Sequence, residues 1–313
     1  MTQPRTAPGR APSANSGGTP PRRRRLPDLG PLPWIGPALL LIIGVVLWPA
    51  FEMMRTSVMR ISVSGLAVGF TGLDNFERLF ADPDLPGIMT RTLVWVLVVV
   101  GVTILVSLGL ASLLNAAFPG RRFVRWALIV PWAASVVMTA TIWRWMLDGF
   151  YGIVNRILYD LGLIATPIRD WLGDPSSAFI WLMFVAIFVS LPFTTYVILA
   201  GLQSIPQDIY EAAEVDGATG RHSYRFITLP LLRPALLVAS IINMINVFNS
   251  FPIIWAMTRG GPGSLTDTTT THMYKLAFQL LDVGQSAAMA VVNFSVILVF
   301  VLLYLRVVDW RSA

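Results

Sequence analysis

Side chains with chemistry to offer fall in two neighbouring stretches. Gln203 to Pro234 is the longest polar interval between strong apolar runs, and it carries Asp208, Glu211, Glu214, Asp216, Arg221, Arg225 and Arg233. Carboxylates and guanidiniums on so short a segment suit charge-assisted contacts with a partner surface. The second stretch is uncharged: Ser190, Pro192, Phe193, Thr194 and Thr195 precede the polar interval, and Asn243, Asn246, Asn249 and Ser250 follow it. Amides and hydroxyls donate and accept, which suits a neutral polyhydroxylated ligand, and Phe193, Tyr196, Phe248 or Phe251 offers a ring to its apolar face. Hydrogen bonds between helices, with no ligand, fit the same asparagines.

Several chemistries have no residues to build them. The chain lacks cysteine, so disulfides, thiol nucleophiles and cysteine metal sites are excluded. His222 and His272 lie in different loops without metal-ligand spacing. No glycine-rich loop ends in Lys and Ser/Thr, so ATP hydrolysis by this chain is not expected. Intramembrane enzymes need paired carboxylates, a Ser/Lys or Ser/His pair, or metal ligands within the apolar runs, and none is visible there.

The elements that must hold these residues are membrane spans. Of 313 residues 55% are hydrophobic and only 13% charged, with a mean hydropathy of +0.67, too apolar for a soluble domain. Six apolar stretches, about residues 33–54, 92–117, 126–146, 177–201, 234–257 and 283–305, are each long enough to cross a bilayer. The expectation is an all-α, polytopic protein with six transmembrane helices. Residues 1–29, rich in Pro, Gly, Ser, Thr and Arg, are expected to be a disordered tail, with Arg22–Arg25 anchoring it in the cytoplasm rather than binding nucleic acid. With both termini (the C-tail being 307–313) and the polar interval on one side, that side holds 14 of the 23 basic residues, which places it inside.

Within the interval, Pro206 suits a first helical turn, Asp208 and Glu211 place negative charge near its positive end, and Gly217 can stop it. A second short helix over 218–228 is expected to end before Pro230. The pair forms either a knob that docks into a partner's groove or a solvated loop on the headgroups.

Elsewhere, residues 72–80 predict a short amphipathic helix with Leu73, Phe76, Leu79 and Phe80 as its stripe, and 258–270 a loop. Glu52, Arg55, Arg144 and Asp148 are expected to snorkel at span ends, Pro49 and Pro131 to bend helices, and Trp34, Trp126, Trp143 and Trp145 to anchor at the interface. Within the spans, Pro192 and Pro252 free the carbonyls of Phe188 and Phe248. On an unbroken helix Asn243, Asn246 and Ser250 share an arc of about 60°, with Asn249 well off it.

Glu211, Ala212 and Ala213, then Gly217 four residues on, then Ile227, Leu229 and Pro230, resemble the EAA signature of the membrane subunits of bacterial ABC importers. Together with residues 130–146, 72–80 and 258–270, the likeness extends to the maltose-type carbohydrate permeases and covers most of the chain from residue 30 onward. It implies a type I importer permease fold in the cytoplasmic membrane. The polar interval, 203–233, becomes a coupling loop seated in a cytoplasmic ATPase: Glu211 is the acidic anchor, Gly217 the turn, and Ala212, Ala213, Asp216, Ile227 and Pro230 complete the motif. It implies a second permease, an ATPase dimer and an extracytoplasmic sugar-binding protein as partners, besides membrane lipid. ATP and Mg would be used by the ATPase, with no cofactor on this chain. In such relatives the sugar is held by the helices flanking the loop, which favours Asn243, Asn246, Ser250, Phe193 and Ser190 and a neutral sugar of the trehalose or maltose type. A glycerol-3-phosphate or polyol importer is the runner-up, and a structural membrane protein a distant third.

Overall fold

The computed structural model describes residues 32–166 and 169–307. The expected N-tail, with Arg22–Arg25, and the C-tail beyond residue 307 lie outside them.

Of the described residues, those up to Pro49 form one unit and those from Ala50 onward another. The first comprises helix α1 (Leu32–Leu41) and a π-helical stretch, Ile42–Leu47. In that stretch the Trp48 N–H reaches the Ile43 carbonyl, so the turn is widened just ahead of Pro49, where a bend was expected. The helix runs on as α2 (Trp48–Ser57).

In the second unit, α2 leads into an antiparallel hairpin, β1 (Met59–Ile61) and β2 (Ala67–Phe70), with Met59 opposite Phe70. An all-helical expectation does not contain it. Helix α3 (Asp74–Phe80) follows where a short helix was expected, but its stripe is only half buried. Leu79 is enclosed and Phe76 packs nearby, whereas Leu73 and Phe80 are exposed. Asn75 is buried instead, because its amide donates to the carbonyls of Ser57 and Met59 at 2.8 and 2.9 Å and ties the helix to the hairpin.

Next come α4 (Leu85–Asn115), α5 (Arg121–Trp132), α6 (Val136–Met146), α7 (Ile153–Asp160) and α8 (Pro175–Gln203). The polar interval folds as α9 (Gln207–Val215), α10 (Gly220–Ser223), a π-helical stretch Tyr224–Thr228 and α11 (Leu229–Leu231). After it come α12 (Arg233–Phe248), α13 (Phe251–Met257), α14 (Thr269–Phe278) and α15 (Val283–Val307).

Helix α8 packs against both α4 and α12. One core cluster joins Trp95, Val96 and Val99 of α4 to Leu182, Val185 and Ala186 of α8 and Val247, Ile253 and Ile254 of α12 and α13. A second, nearer the end that carries α9–α11, joins Ala111, Leu114, Ile198, Leu202, Leu232 and Ala239. Many large apolar side chains, Leu97 and Leu105 of α4 and Leu302 of α15 among them, stay exposed, as a protein solvated by lipid requires.

Among the described residues four helical stretches are long and apolar enough to cross a membrane: 34–57, 85–115, 175–203 and 283–306. The other two expected spans are broken. Residues 126–146 divide between α5 and α6, the chain turning extended at Ser135 three residues after α5 ends. Residues 234–257 divide between α12 and α13 at Asn249 and Ser250, with Pro252 in the first turn of α13. Six crossings are compatible with this architecture. Pro192, in contrast, lies buried inside an unbroken α8, the helix that packs against both α4 and α12.

Candidate functional site

The knob at 203–233 is built around two helix caps. Helix α9 ends in a left-handed turn in which Gly217 (φ 80°) stands just past the last residues and the Ala218 N–H returns to the Ala213 carbonyl at 2.9 Å. Only a residue without Cβ adopts that φ at little cost. Thr219 then caps α10 by accepting from the His222 N–H at 3.4 Å. Tyr210 of α9 and Thr228 share a hydroxyl contact of 3.0 Å that folds the two arms together.

Of the signature residues, Ala213 is buried inside the knob, Ile227 and Pro230 are half-buried at its base, and Glu211, Ala212, Asp216 and Gly217 are exposed. Val215 beside them is 88% exposed, so the tip presents an apolar residue among carboxylates. One expectation is corrected: the second arm does not end before Pro230. The π-helical stretch sends the Leu229 N–H to the Tyr224 carbonyl, and with that wider step the chain carries Pro230 within α11 and bends by 62° only at Leu232.

The uncharged stretches meet at one cavity. Its volume is about 370 Å³, and its lining includes Ser190 and Phe193 from α8, Asn243, Asn246, Asn249 and Ser250 from α12 and the break, and Trp132 from the end of α5. Among the described residues no ionisable side chain lines it. Its size lies within the range of roughly 300–1,000 Å³ usual for small-molecule sites. Asn243 is 2% exposed and its amide nitrogen lacks a hydrogen-bond partner. A buried donor left unmet costs about 1–3 kcal/mol, so an acceptor arriving there gains accordingly.

All five residues singled out from the sequence for a ligand therefore line this cavity. Asn249 and Trp132 join them unforeseen. A continuous helix turns Asn249 away, whereas the break at 249–250 invalidates the 100° projection; Pro252 was the signal for it. Of the other rings considered, Phe248 lines a separate cavity of about 290 Å³, Phe251 packs on Trp255 and Tyr274, and the Tyr196 hydroxyl donates to the Arg125 carbonyl at 3.3 Å.

At the opposite end from the knob, the hairpin, α3, the 258–268 loop and α14 form a cap. Asp267 is fully buried and pairs with Lys275 at 2.6 Å, while Arg91 of α4 donates to the Asp267 and Ser264 carbonyls at 3.2 and 3.0 Å. Gly260 (φ 81°) is required here: a Cβ would lie 1.8 Å from Asp267 Oδ1. His272 lies 3.4 Å from Asp82, yet burial outweighs the pull of that carboxylate and holds the imidazole below its usual range. Asp148 is exposed at the end of α6 and accepts from the N–H groups of Tyr151 and Phe150, which hold its carboxyl below the usual range. Trp143, expected as an interfacial anchor, packs edge-on against Phe184 and Phe188 at 5.1 and 5.7 Å. Among the described residues no group of three His, Cys, Asp or Glu could hold a metal.

A multi-pass helical bundle with broken spans, an uncharged cavity at one break and a two-armed knob between spans defines a transport subunit of the membrane. Comparison identifies which. Residues 31–312 match the family described as binding-protein-dependent transport system inner membrane component, and the chain belongs to it. It is 42% identical over 271 residues to a probable ABC transporter permease protein of Brucella suis biovar 1, covering 87% of this chain and 93% of the relative. It is 36% identical over 242 residues to the trehalose/maltose transport system permease protein of Thermococcus litoralis, covering 77% and 81%. Its fold matches that of a chain in the crystal structure of a bacterial alginate ABC transporter in complex with an alginate pentasaccharide-bound periplasmic protein: TM-score 0.76, 23% identity, 90% of this chain and 94% of that one. The chain is thus a permease subunit of a binding-protein-dependent ABC transporter, a non-catalytic multi-pass membrane subunit of a transporter whose ATP is used by a separate ATPase.

Proposed function

We propose that this subunit translocates a neutral disaccharide or oligosaccharide, of the trehalose or maltose type, into the cytoplasm by alternating access through the cavity at the α12–α13 break. One observation carries this reading: five uncharged hydrogen-bonding side chains, Ser190, Asn243, Asn246, Asn249 and Ser250, together with the rings of Phe193 and Trp132, line one cavity that has no ionisable group. Hydroxyls of a sugar can serve both as donors to the amide oxygens and as acceptors from the amide nitrogens. An anionic substrate such as glycerol-3-phosphate needs a cation facing it, and the lining supplies none.

The knob supports the second half of the reading. Its exposed Glu211, Asp216 and Val215 suit a groove in a cytoplasmic ATPase that is lined by arginines around an apolar floor. A second, related permease completes the transmembrane unit, two ATPase copies drive it, and an extracytoplasmic binding protein delivers the sugar at the capped end. The termini and knob lie in the cytoplasm, as the excess of Arg on that side favours.

The test is uptake of labelled trehalose and maltose by cells carrying the importer. Asn243→Ala and Asn246→Ala are each expected to lower uptake by about tenfold, the cost of one or two hydrogen bonds in a water-poor site, with unchanged amounts of chain in the membrane. Undiminished uptake in both variants would remove the cavity from the sugar's path.

A further inference from the structure

The α12–α13 break decides where Asn249 and Ser250 stand relative to Asn243 and Asn246, and its own connections are few. Asn249 (φ −89°, ψ 21°) and Ser250 (φ −75°, ψ 32°) leave the helical conformation, and Pro252 has no N–H with which to resume the ladder. Besides the Asn249 N–H, three donors converge at the Val247 carbonyl. Two belong to Ser250 itself, its backbone N–H at 3.2 Å and its hydroxyl. The third comes from another helix: the indole N–H of Trp95, on α4, donates to Val247 O at 3.0 Å and approaches Ser250 Oγ at 3.3 Å.

Trp95 is 1% exposed and its ring is fixed in turn by Phe179 of α8, 5.9 Å away centroid to centroid. It is absent from the cavity lining, whereas both groups it holds, Val247 and Ser250, belong to that lining. We infer that Trp95 is a positioning residue: through its N–H it clamps the break from α4 and so sets the presentation of Asn249 and Ser250 to the cavity. The inference rests on the proposed role of that cavity only for its consequence in transport; the clamp itself is a statement about geometry. With the N–H gone, the remaining donors to Val247, from Asn249 and Ser250, all belong to the break itself, so no hydrogen bond from another helix holds that carbonyl.

The experiment uses the absence of cysteine. Spin labels at Ile242→Cys and Ala256→Cys, one on each side of the break in the full-length chain in lipid nanodiscs, report its angle by pulsed electron resonance. A single cysteine at Asn249→Cys reports its exposure through the rate of alkylation by N-ethylmaleimide. Each readout is taken with tryptophan at position 95, with Trp95→Phe, and with benzothienylalanine there, a same-shaped ring with sulfur in place of the N–H. Loss of the clamp is expected to broaden the inter-label distances and to change the alkylation rate by about fivefold, the factor carried by one ordinary hydrogen bond. Distances and rate that stay as in the parent with the sulfur ring overturn the inference, and this isostere decides even where the phenylalanine variant folds poorly. Neither readout contains a sugar. If the asparagine variants leave uptake unchanged while the clamp effect appears, the transport reading fails alone; if uptake falls but the break is indifferent to the N–H, the clamp fails alone.

Discussion

Lys275 is the chain's single lysine, and it sits against a fully buried carboxylate. Breaking such a pair by removing one member strands the other charge, at a cost of about 3–5 kcal/mol. Lys275→Met is therefore expected to lower the thermal unfolding midpoint of the purified protein, and adding Asp267→Asn to recover most of the loss because no buried charge remains. A double variant as unstable as the single one would show that the lysine acts through packing alone. At this scale the sequence was informative where a residue's chemistry is scarce in its setting: uncharged amides inside apolar runs pointed to the cavity, and all five selected residues line it. It was silent on Asn75, Trp95 and Trp132, whose roles depend on partners distant in sequence, 152 residues away for the bond from Trp95 to Val247.

Among the elements, helices with uniform apolar composition were legible and interrupted ones were not. The stretches now seen as 85–115, 175–203 and 283–306 had only to be long and oily. Residues 126–146 and 234–257 have the same composition, and periodicity alone cannot register that Pro131 and Pro252 end in breaks while Pro192 is absorbed in α8. The knob was read in its first arm and misread in its second, because a π-helical step accommodates Pro230 where an α-helical one is stopped. The hairpin at 59–70 escaped because three residue pairs with a bulge give too short a pattern to separate from a loop. For α9 the expected outcome concerns its exposed carboxylate: Glu211→Lys places like charges together at the proposed ATPase groove, which costs several kcal/mol. Co-purification of the ATPase and sugar uptake should both be lost while the chain remains in the membrane. Retention of both would return the knob to a loop on the headgroups.

On the scale of the whole molecule, α4, α8 and the broken pair α5 with α6, which the sequence predicts as one crossing, separate the hairpin from the knob, an arrangement of three crossings that puts the two on opposite sides of the membrane. In the cysteine-free chain, Val63→Cys should react with an impermeant thiol reagent on intact cells, and Ala218→Cys only after the membrane is opened; labelling of both from outside would contradict the assigned orientation. The same ordering gives α12 a mechanical meaning. It starts at the 62° bend beside the knob and ends at the cavity break, 16 residues later. At 1.5 Å per residue it is a lever arm of about 24 Å, and a tilt of roughly 10° about Leu232 carries its far end some 4 Å sideways. A stroke of that size exceeds the reach of a hydrogen bond. A small rocking at the fulcrum is thus enough to make or release an entire grip on a bound molecule, with no helix having to stretch or unwind.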